Sequence, residues 1–379
     1  MTRPLGPVVY LAGSRWEGVA GTDRRLASAL GAIAPVLWVD PPFSILTRKR
    51  GGGTEANRAG QSAVAPGVTR LQVLSPPGAS RPGIRRLTST ILAARIRAAI
   101  RSTGLDVSAV VLASPREHFP RGVPGIRVLY VTDDWSVGAA MMGLPVDRVT
   151  ADLGRNVRKA DVVAAVSPEL ADRLERAYSV TVEILPNGCD PVQDDALPDA
   201  GGEPIAGLVG QLNERLDPAI LEAVRAGGTP LVVVGPRTDR DAGTRLELDR
   251  LLAADGVTWH GEVPCEELPA YLARMGVGLT PYADTPFNRA SFPLKILEYL
   301  ASGLPVVSTD LPAVRWLDTD LIEVGRNPQD FACRVREVLA RPADAAERSR
   351  RIAFAQGHSW HARARQLQAI VGEGAAHRP

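Results

Sequence analysis

Residues 291–310 of the chain are SFPLKILEYLASGLPVVSTD, and they predict a loop, a helix, a tight turn and a buried strand in succession. Ser291 is suited to cap the helix, and Pro293 is suited to its first turn. Gly303 stands just past the helix, where a left-handed backbone is common. Residues 304–307 are apolar and partly β-branched, as in a parallel strand that is covered on both faces. The helix itself has one apolar face, formed by Leu294, Leu297, Leu300 and Ala301.

Two charged residues accompany the apolar face of this helix. Lys295 is near the predicted start and Glu298 is three residues further on, so both side chains can project to one side. The N-terminus of a helix carries a partial positive charge and attracts anions. A lysine at this end is favourable if something anionic binds there, so the segment predicts an anion-binding site.

Length, composition and charge narrow the class of protein. A chain of 379 residues is too long for one ordinary core, and two domains are expected. Hydrophobic residues at 45% and charged residues at 23% are typical of a soluble globular protein. A net charge of +2 gives no general attraction to nucleic acid, so no nucleic-acid partner is expected.

Cysteine usage and the lack of targeting patterns indicate a cytoplasmic protein. The three cysteines are far apart, which argues against a disulfide framework and fits a reducing compartment. The sequence opens without a signal-peptide pattern, and no apolar run is long enough to span a bilayer. No Cys/His cluster has the spacing of metal ligands, so no metal is expected.

Short apolar runs alternate with helical patterns, which predicts an α/β fold with parallel sheets. Residues 1–188 form the first predicted domain, residues 189–204 a linker, and residues 205–358 the second domain. A capped helix over 359–371 is expected to pack back onto the first domain. Residues 47–65 lack periodicity and predict a mobile loop. The expected architecture is two Rossmann-like, doubly wound domains that face a central cleft.

A glycine-containing loop opens the second domain. Residues 207–215, GLVGQLNER, follow a predicted strand and precede a helix, so the amides around Gly210 can approach a phosphate. Arg215 can add a guanidinium fork for a diphosphate. The alternative is a tight turn that binds nothing.

This loop belongs to an ordered series of strand-and-loop motifs. Gly235-Pro236, Gly261–Val263 and Tyr282 follow predicted strands, and residues 291–310 complete the series. In this order the motifs resemble the C-terminal domain of GT-B nucleotide-sugar glycosyltransferases, in particular the retaining family 4 type. Parts of the first domain resemble the bacterial subgroup that includes teichuronic-acid and cell-surface polysaccharide glycosyltransferases, at residues 16–19, 36–42, 133–135 and 164–170.

The resemblance implies how a UDP- or GDP-sugar donor is bound, as a substrate and with no separate cofactor. Glu298 would accept hydrogen bonds from the ribose hydroxyls, unless it is only a solvated helix residue paired with Lys295. Lys295 and Arg215 would hold the diphosphate. Gly261–Val263 would contact the base. The complete set of implied donor contacts is Gly210, Arg215, Gly235, Pro236, Gly261, Val263, Tyr282, Ser291, Leu294, Lys295 and Glu298.

The sequence also departs from the family pattern. Ala290 stands where members often carry a second Glu, eight positions before the ribose-binding one. Gln211 and Leu216 stand where many carry an Arg and a Lys. These departures leave the handling of the sugar hydroxyls and the stereochemical outcome open. Residues 284–289 are a candidate replacement for the absent Glu.

Residues of the first domain are candidates for acceptor binding and catalysis. Asp133 and Asp134 follow a strand, and one of them can activate or orient the acceptor hydroxyl. Alternatively, one caps the next helix and the other is solvated. The acceptor contacts that the resemblance suggests are Gly13, Arg15, Trp16 and His118. His118 is also consistent with a surface or helix-start position. The catalytic candidates of the whole chain are thus Asp133, Asp134, Lys295 and Glu298.

Residues 81–101 contain six arginines and no acid, interleaved with Leu87, Ile91, Ile96 and Ile100. A basic amphipathic helix on the acceptor domain would make peripheral contact with anionic lipid at the inner face of the cell membrane. Alternatively, the helix is solvated and its apolar stripe covers the sheet.

Together these patterns predict a glycosyltransferase that moves a sugar from a nucleotide-diphosphate sugar to a glycan, lipid-linked or small-molecule acceptor, with retention and without metal. Two alternatives remain open. One is a non-catalytic homologue that binds nucleotide sugar, and the other is a GT-B sugar-nucleotide epimerase, which would turn over a donor alone.

Overall fold

The computed structural model describes residues 4–18, 21–44, 59–78, 81–104, 106–190, 203–264 and 266–376. The chain divides into two compact units, one formed by Met1–Asn187 with Trp360–Pro379 and the other by Gly188–Ser359. Parallel sheets with helices make up both units, which confirms the predicted α/β class.

The first unit holds an eight-stranded sheet and a separate two-stranded pair. Its strands are β1 (Val8–Ala12), β2 (Val36–Val39), β3 (Phe43–Ser44), β4 (Gly60–Ala65), β5 (Val68–Gln72), β6 (Leu74–Ser75), β7 (Ala109–Ala113), β8 (Ile126–Val131), β9 (Val162–Ala165) and β10 (Val182–Ile184). The order across the large sheet is β10-β9-β8-β7-β1-β2-β5-β4, and β3 pairs with β6. Because the order reverses between β1 and β7, the loops after these strands mark the point where a doubly wound sheet usually binds a ligand.

One strand of this sheet contradicts the predicted loop over residues 47–65. Gly60–Ala65 forms β4, which runs antiparallel to β5 at the edge of the sheet. Its residues are exposed or half-buried, so its sequence carries no apolar alternation that would predict a strand. Residues 47–58 lie outside the described ranges. The helices of this part of the unit are α1 (Thr22–Gly31), α2 (Pro82–Thr103), α3 (Val146–Val157) and α4 (Pro168–Tyr178).

The second unit is built on a six-stranded parallel sheet. Its strands are β11 (Ala206–Val209), β12 (Leu231–Val234), β13 (Val257–Trp259), β14 (Val277–Thr280), β15 (Val306–Thr309) and β16 (Ile322–Gly325), in the order β13-β12-β11-β14-β15-β16. This is the strand order of a Rossmann fold, and it reverses between β11 and β14. The helices are α5 (Pro218–Ala226), α6 (Ala242–Leu252), α7 (Leu268–Arg274), α8 (Pro286–Ala290), α9 (Leu294–Ala301), α10 (Pro312–Trp316), α11 (Pro328–Ala340) and α12 (Ala345–Gly357).

The last helix, α13 (Trp360–Ala376), belongs to the first unit and packs against α1 and β8. Its apolar side is buried. Two of its polar side chains also donate to backbone carbonyls near the end of the Met1–Asn187 segment. Arg363 Nε donates to the carbonyl of Asn187 at 3.3 Å, and Gln366 Nε2 donates to the carbonyl of Ile184 at 2.7 Å. The helix continues five residues beyond the predicted end at Val371. Within the described ranges, every helix is too short or too polar to span a bilayer.

Candidate functional site

The loops after β11 and β14 lie where the strand order of the second sheet reverses. Gly210 directly follows β11 and has a φ of 143°, and a side chain at this position would stand 3.6 Å from Cε of Lys295. The Lys295 side chain therefore lies next to the backbone of the first loop. This places a cation at the carboxyl edge of the sheet, where doubly wound folds usually bind anionic ligands.

Lys295 and Glu298 form an ion pair on α9, with 2.5 Å between Nζ and Oε2. Their side chains are 24% and 14% exposed, so the pair is partly buried and not fully solvated. A lysine in the first turn opposes the helix dipole, and Glu298 offsets its charge while no anion is bound. The two residues thus hold a balanced cation and carboxylate at the edge of the sheet.

Glycines bring the predicted donor loops into direct contact. A side chain at Gly235 would stand 1.9 Å from the carbonyl oxygen of Gly210, so only glycine fits there. The Gly235 amide donates to the carbonyl of Gly261 at 2.7 Å, and Trp259 Nε1 donates to the carbonyl of Gly235 at 3.0 Å. The carbonyl of Pro236 accepts from the amide of Leu212 at 3.0 Å. The structure therefore joins the loops after β11, β12 and β13 along one edge.

Arg215 is held on several sides. Its guanidinium carbon lies 5.0 Å from the ring centre of Tyr282 and 5.3 Å from that of Phe287. Arg215 Nε donates to Oδ1 of Asn288 at 3.0 Å. Within the part of the chain that the structure describes, no carboxylate pairs with Arg215. The arginine thus stands at the carboxyl edge of the sheet with its charge uncompensated.

Ser291 has a different contact from the predicted one. Its hydroxyl donates to the carbonyl of Phe287 at 2.9 Å and closes α8, so the prediction that it caps the next helix is wrong. Pro293 precedes α9 as its N-cap, and the first helical residue is Leu294, which is half-buried. Val263 is also half-buried, in the loop that follows β13.

The reversal point of the first sheet is packed around a buried carboxyl group. A side chain at Gly13 would stand 2.9 Å from the carbonyl of Ala113, so the loops after β1 and β7 touch. Asp23 accepts hydrogen bonds from the Gly13 amide at 2.9 Å and from the Tyr10 hydroxyl at 3.1 Å. Burial, together with the nearby charge of Asp133, raises the pKa of Asp23 to about 7. This group can therefore exchange a proton near neutral pH.

The two aspartates predicted as catalytic differ in surroundings. Asp134 is 8% exposed, its Oδ1 accepts from the amide of Val137 at 3.1 Å, and its Oδ2 pairs with Arg173 at 3.0 Å. These contacts bind Asp134 to the short 3-10 turn Val137–Ala139 and to Arg173. Asp133 is half-buried and close enough to Asp23 to influence its ionisation.

The loop that carries Arg15 and Trp16 is fixed by a buried network. The Trp16 amide donates to Oδ1 of Asp40 at 3.2 Å, and its ring meets the Trp38 ring edge-on at 5.1 Å. Arg70 is 4% exposed, donates through Nε to Asp40 at 2.8 Å, and also forms a close ion pair with Glu17. The Arg15 guanidinium lies 4.6 Å from the centre of the Phe43 ring. The proposed acceptor loop is therefore rigidly anchored.

His118 is neither a surface residue nor the start of a helix, and that sequence alternative is wrong. Its side chain is 17% exposed, with Nε2 at 2.9 Å from Arg85 Nη2 and Nδ1 at 3.2 Å from Asn156 Oδ1. Asp152 lies 3.4 Å from Nε2. Burial lowers the pKa of His118, and the neighbouring arginines act in the same direction.

Sequence reasoning gave no role to Asp23, Asp40 or Arg70, and it named Asn288 only as one residue of the candidate loop 284–289. The pairings were hidden because the partners are distant in sequence, 30 residues apart for Arg70 and Asp40 and 73 for Asn288 and Arg215. A polar residue inside an apolar pattern, such as Arg70 within β5, is the signal that could have found one of them. Among the described residues, no three His, Cys, Asp or Glu side chains gather as metal ligands.

Comparison with known proteins gives a matching family model, a curated relative and similar solved structures. Residues 205–341 match the family model described as "Glycosyl transferases group 1". TuaH of Bacillus subtilis (strain 168), named as a teichuronic acid biosynthesis glycosyltransferase, is 30% identical over 173 residues. That stretch covers 44% of this chain and 43% of TuaH, so the chain matches less than half the length of this curated relative.

Several solved structures resemble nearly the whole chain, among them the following two. A sucrose-phosphate synthase from Thermosynechococcus elongatus has a TM-score of 0.72 at 18% identity, covering 98% of this chain and 100% of that one. The catalytic domain of starch synthase IV from Arabidopsis thaliana, bound to ADP and acarbose, has a TM-score of 0.67 at 12% identity, covering 99% and 100%. Identities this low establish a shared fold alone. Residues 205–341 therefore match the glycosyl transferases group 1 family model, in a chain that has the GT-B fold.

Proposed function

We propose that the protein is a glycosyltransferase whose second unit binds a UDP- or GDP-sugar and whose first unit receives a glycan, lipid-linked or small-molecule hydroxyl. The observation that carries the proposal is the side chain of Lys295 next to Gly210, at the point where a Rossmann-type sheet reverses its order. The starch synthase structure holds ADP, which is a nucleoside diphosphate. This chain presents cations and backbone amides for the same class of ligand.

The roles of the donor-binding residues follow from their chemistry. Lys295 and Arg215 would bind the diphosphate and stabilise the charge that it gains as the bond to the sugar breaks. Glu298 would accept hydrogen bonds from the two ribose hydroxyls, and the loops at Gly235 and Gly261 would contact the base through their backbone. Since two side-chain cations are available for this charge, the proposal includes transfer without metal and without a separate cofactor.

The transfer step exchanges one bond for another. The acceptor hydroxyl oxygen forms a bond to the anomeric carbon, the bond from that carbon to the diphosphate breaks, and the nucleoside diphosphate leaves with the electron pair. The hydroxyl proton passes to a base, for which Asp133 and Asp23 are the candidates in the first unit. Retention of configuration is part of the proposal because residues 291–310 resemble the retaining family 4 type.

The membrane is a further proposed partner. On α2, Arg86, Arg95 and Arg101 are exposed and form no ion pair with any described residue, and Leu87 is 52% exposed. Ile96 is fully buried, so one side of the helix is packed inside the unit, and the exposed side offers cations. An anionic lipid surface, at the cytoplasmic side, fits this chemistry.

Product analysis tests the proposed reaction. The full chain, a panel of UDP- and GDP-sugars and a mixture of glycan and lipid-linked acceptors would be followed by NMR, with and without EDTA. We expect one donor to yield free nucleoside diphosphate and a new glycoside of the same anomeric configuration, and EDTA to change the rate by less than about twofold. Conversion of a donor to its epimer without acceptor would support the epimerase alternative. Tight donor binding with no turnover would support the non-catalytic one.

A further inference from the structure

A buried asparagine stands next to the arginine that is proposed to bind the diphosphate. Asn288 is 1% exposed and lies on α8, whose N-cap Thr285 accepts from the Asn288 amide at 3.2 Å. Asn288 Nδ2 donates to two backbone carbonyls, that of Arg215 at 2.8 Å and that of Ala283 at 2.9 Å. Asn288 Oδ1 accepts from Nε of Arg215 at 3.0 Å. The side-chain amide of Asn288 therefore forms hydrogen bonds through both its nitrogen and its oxygen.

These partners determine which way the amide group faces. Only the NH2 group can donate to two carbonyls, and only the oxygen can accept from the Nε–H of arginine. Asn288 therefore binds both the main chain and the side chain of Arg215, and it links them to the loop after β14 through Ala283. A side chain with this many buried hydrogen bonds has a single orientation, and it passes that restriction to Arg215.

Arg215 is also confined by two aromatic rings. Tyr282 and Phe287 lie 5.0 and 5.3 Å from its guanidinium carbon, within the range of cation–π contacts. With Nε bound to Asn288, the two terminal nitrogens of Arg215 form no hydrogen bond with any residue that the structure describes. Those nitrogens form the planar, bidentate edge that matches two oxygens of a phosphate.

Because the side chain of Asn288 is neutral, it does not neutralise the positive charge of Arg215, which stays available for an anionic ligand. A carboxylate in place of Asn288 would pair with the guanidinium and repel the carbonyls of Arg215 and Ala283. The asparagine gives the same positioning without neutralising the cation. Ala290, two residues further on, has only a methyl group where the resemblance places an acid.

We infer that Asn288 is a positioning residue that aims the terminal nitrogens of Arg215 at the donor diphosphate. The inference rests on the proposed function, since it assigns the diphosphate as the ligand of Arg215. Pre-positioning lowers the conformational cost of binding, because a free arginine side chain loses much rotamer entropy when it is fixed.

A double-mutant cycle with the full chain tests the inference. The probe is UDP or GDP, whichever the wild-type protein binds more tightly by calorimetry. We expect Asn288→Ala to weaken its affinity roughly tenfold, and Arg215→Ala to weaken it by at least as much. In the Arg215→Ala background, Asn288→Ala should change the affinity by less than about twofold, because its effect acts through the arginine. An equal loss in both backgrounds, or no loss in the wild-type background, overturns the inference.

Two further variants keep the test decisive. Asn327→Ala is the matched control, since Asn327 caps α11 by accepting from the Asp330 amide at 2.9 Å; it should lower stability and leave nucleotide affinity unchanged. If Asn288→Ala does not fold, Phe287→Leu removes one ring from Arg215 instead, and its effect should likewise vanish in the Arg215→Ala background. Failure of the wild-type protein to bind either nucleotide would reject the proposed function, whereas normal binding by Asn288→Ala would reject this inference alone.

Discussion

Burial determines the chemistry of single residues at the edge of the first sheet. Asp23 accepts two hydrogen bonds, which favour its ionised form, yet burial and the charge of Asp133 outweigh them and raise its pKa to about 7. Asp134, next to Asp133 in sequence, is instead bound to Arg173 and to the amide of Val137. Adjacent carboxylates thus have different surroundings, which the sequence alone could not distinguish.

The raised pKa of Asp23 predicts a specific dependence of stability on pH. The ordinary value in an unfolded chain is 3.8, so between about pH 4 and pH 7 the unfolded chain releases a proton that the folded chain keeps. Stability from this group is therefore present below pH 4 and is lost as the pH rises to 7. Asp23→Asn cannot ionise, so its melting temperature relative to wild type should rise by several degrees between pH 5 and pH 8.

Thermal melts of both proteins across this range check the expectation. Asp147→Asn, which removes an exposed carboxylate from the same unit, is the control for a general charge effect. A melting-temperature difference between Asp23→Asn and wild type that stays constant with pH would disprove the proposed protonation behaviour.

At the scale of elements, apolar patterns in the sequence indicate the buried strands of both large sheets but not the exposed edge strand β4. The strands β1, β2 and β12 are recognisable in the sequence, because their side chains are almost all buried and appear there as continuous apolar runs. The exposed strand β4 has no such signal. The prediction for Ser291 named the wrong helix. Its hydroxyl can form a hydrogen bond with either the helix before it or the helix after it, and it bonds to the one before.

The sequence likewise predicted one part of the candidate site and not another. Lys295, Glu298 and the glycine loops come from local patterns, and the fold brings them to one edge. The pairing of Asn288 with Arg215 depends on the three-dimensional packing of segments that are 73 residues apart, for which a single sequence carries no signal.

Helix α2 carries the prediction about membranes. Double charge reversal, Arg86→Glu with Arg101→Glu, should weaken binding to vesicles of anionic phospholipid at least tenfold, because each basic residue near such a surface contributes about 1 kcal/mol. Co-sedimentation at low ionic strength measures this, with purely zwitterionic vesicles for comparison. The same charge change on the second unit, Arg250→Glu with Arg326→Glu, is the control and should have little effect. Equal binding by both double variants would argue against a role of α2.

At the scale of the whole molecule, each unit has a sheet whose order reverses once between parallel strands, and charged residues lie at each reversal point. The second unit has two cations there: Arg215, which pairs with no described carboxylate, and Lys295, which is paired with Glu298. The first has a carboxyl group that titrates near neutrality. One edge therefore suits an anionic donor, and the other suits a hydroxyl that must lose a proton.

Binding of a nucleotide sugar is the most direct test of this account, because every proposed role depends on it. A thermal-shift series with UDP- and GDP-sugars would compare wild type with Lys295→Ala and Glu298→Ala. A ligand at about 100 times its dissociation constant adds about 2.7 kcal/mol to the stability of the folded protein. We predict that one of these donors raises the melting temperature of the wild-type protein by several degrees and that each substitution abolishes most of the rise. No rise with any donor, or an equal rise in all three proteins, would contradict the account.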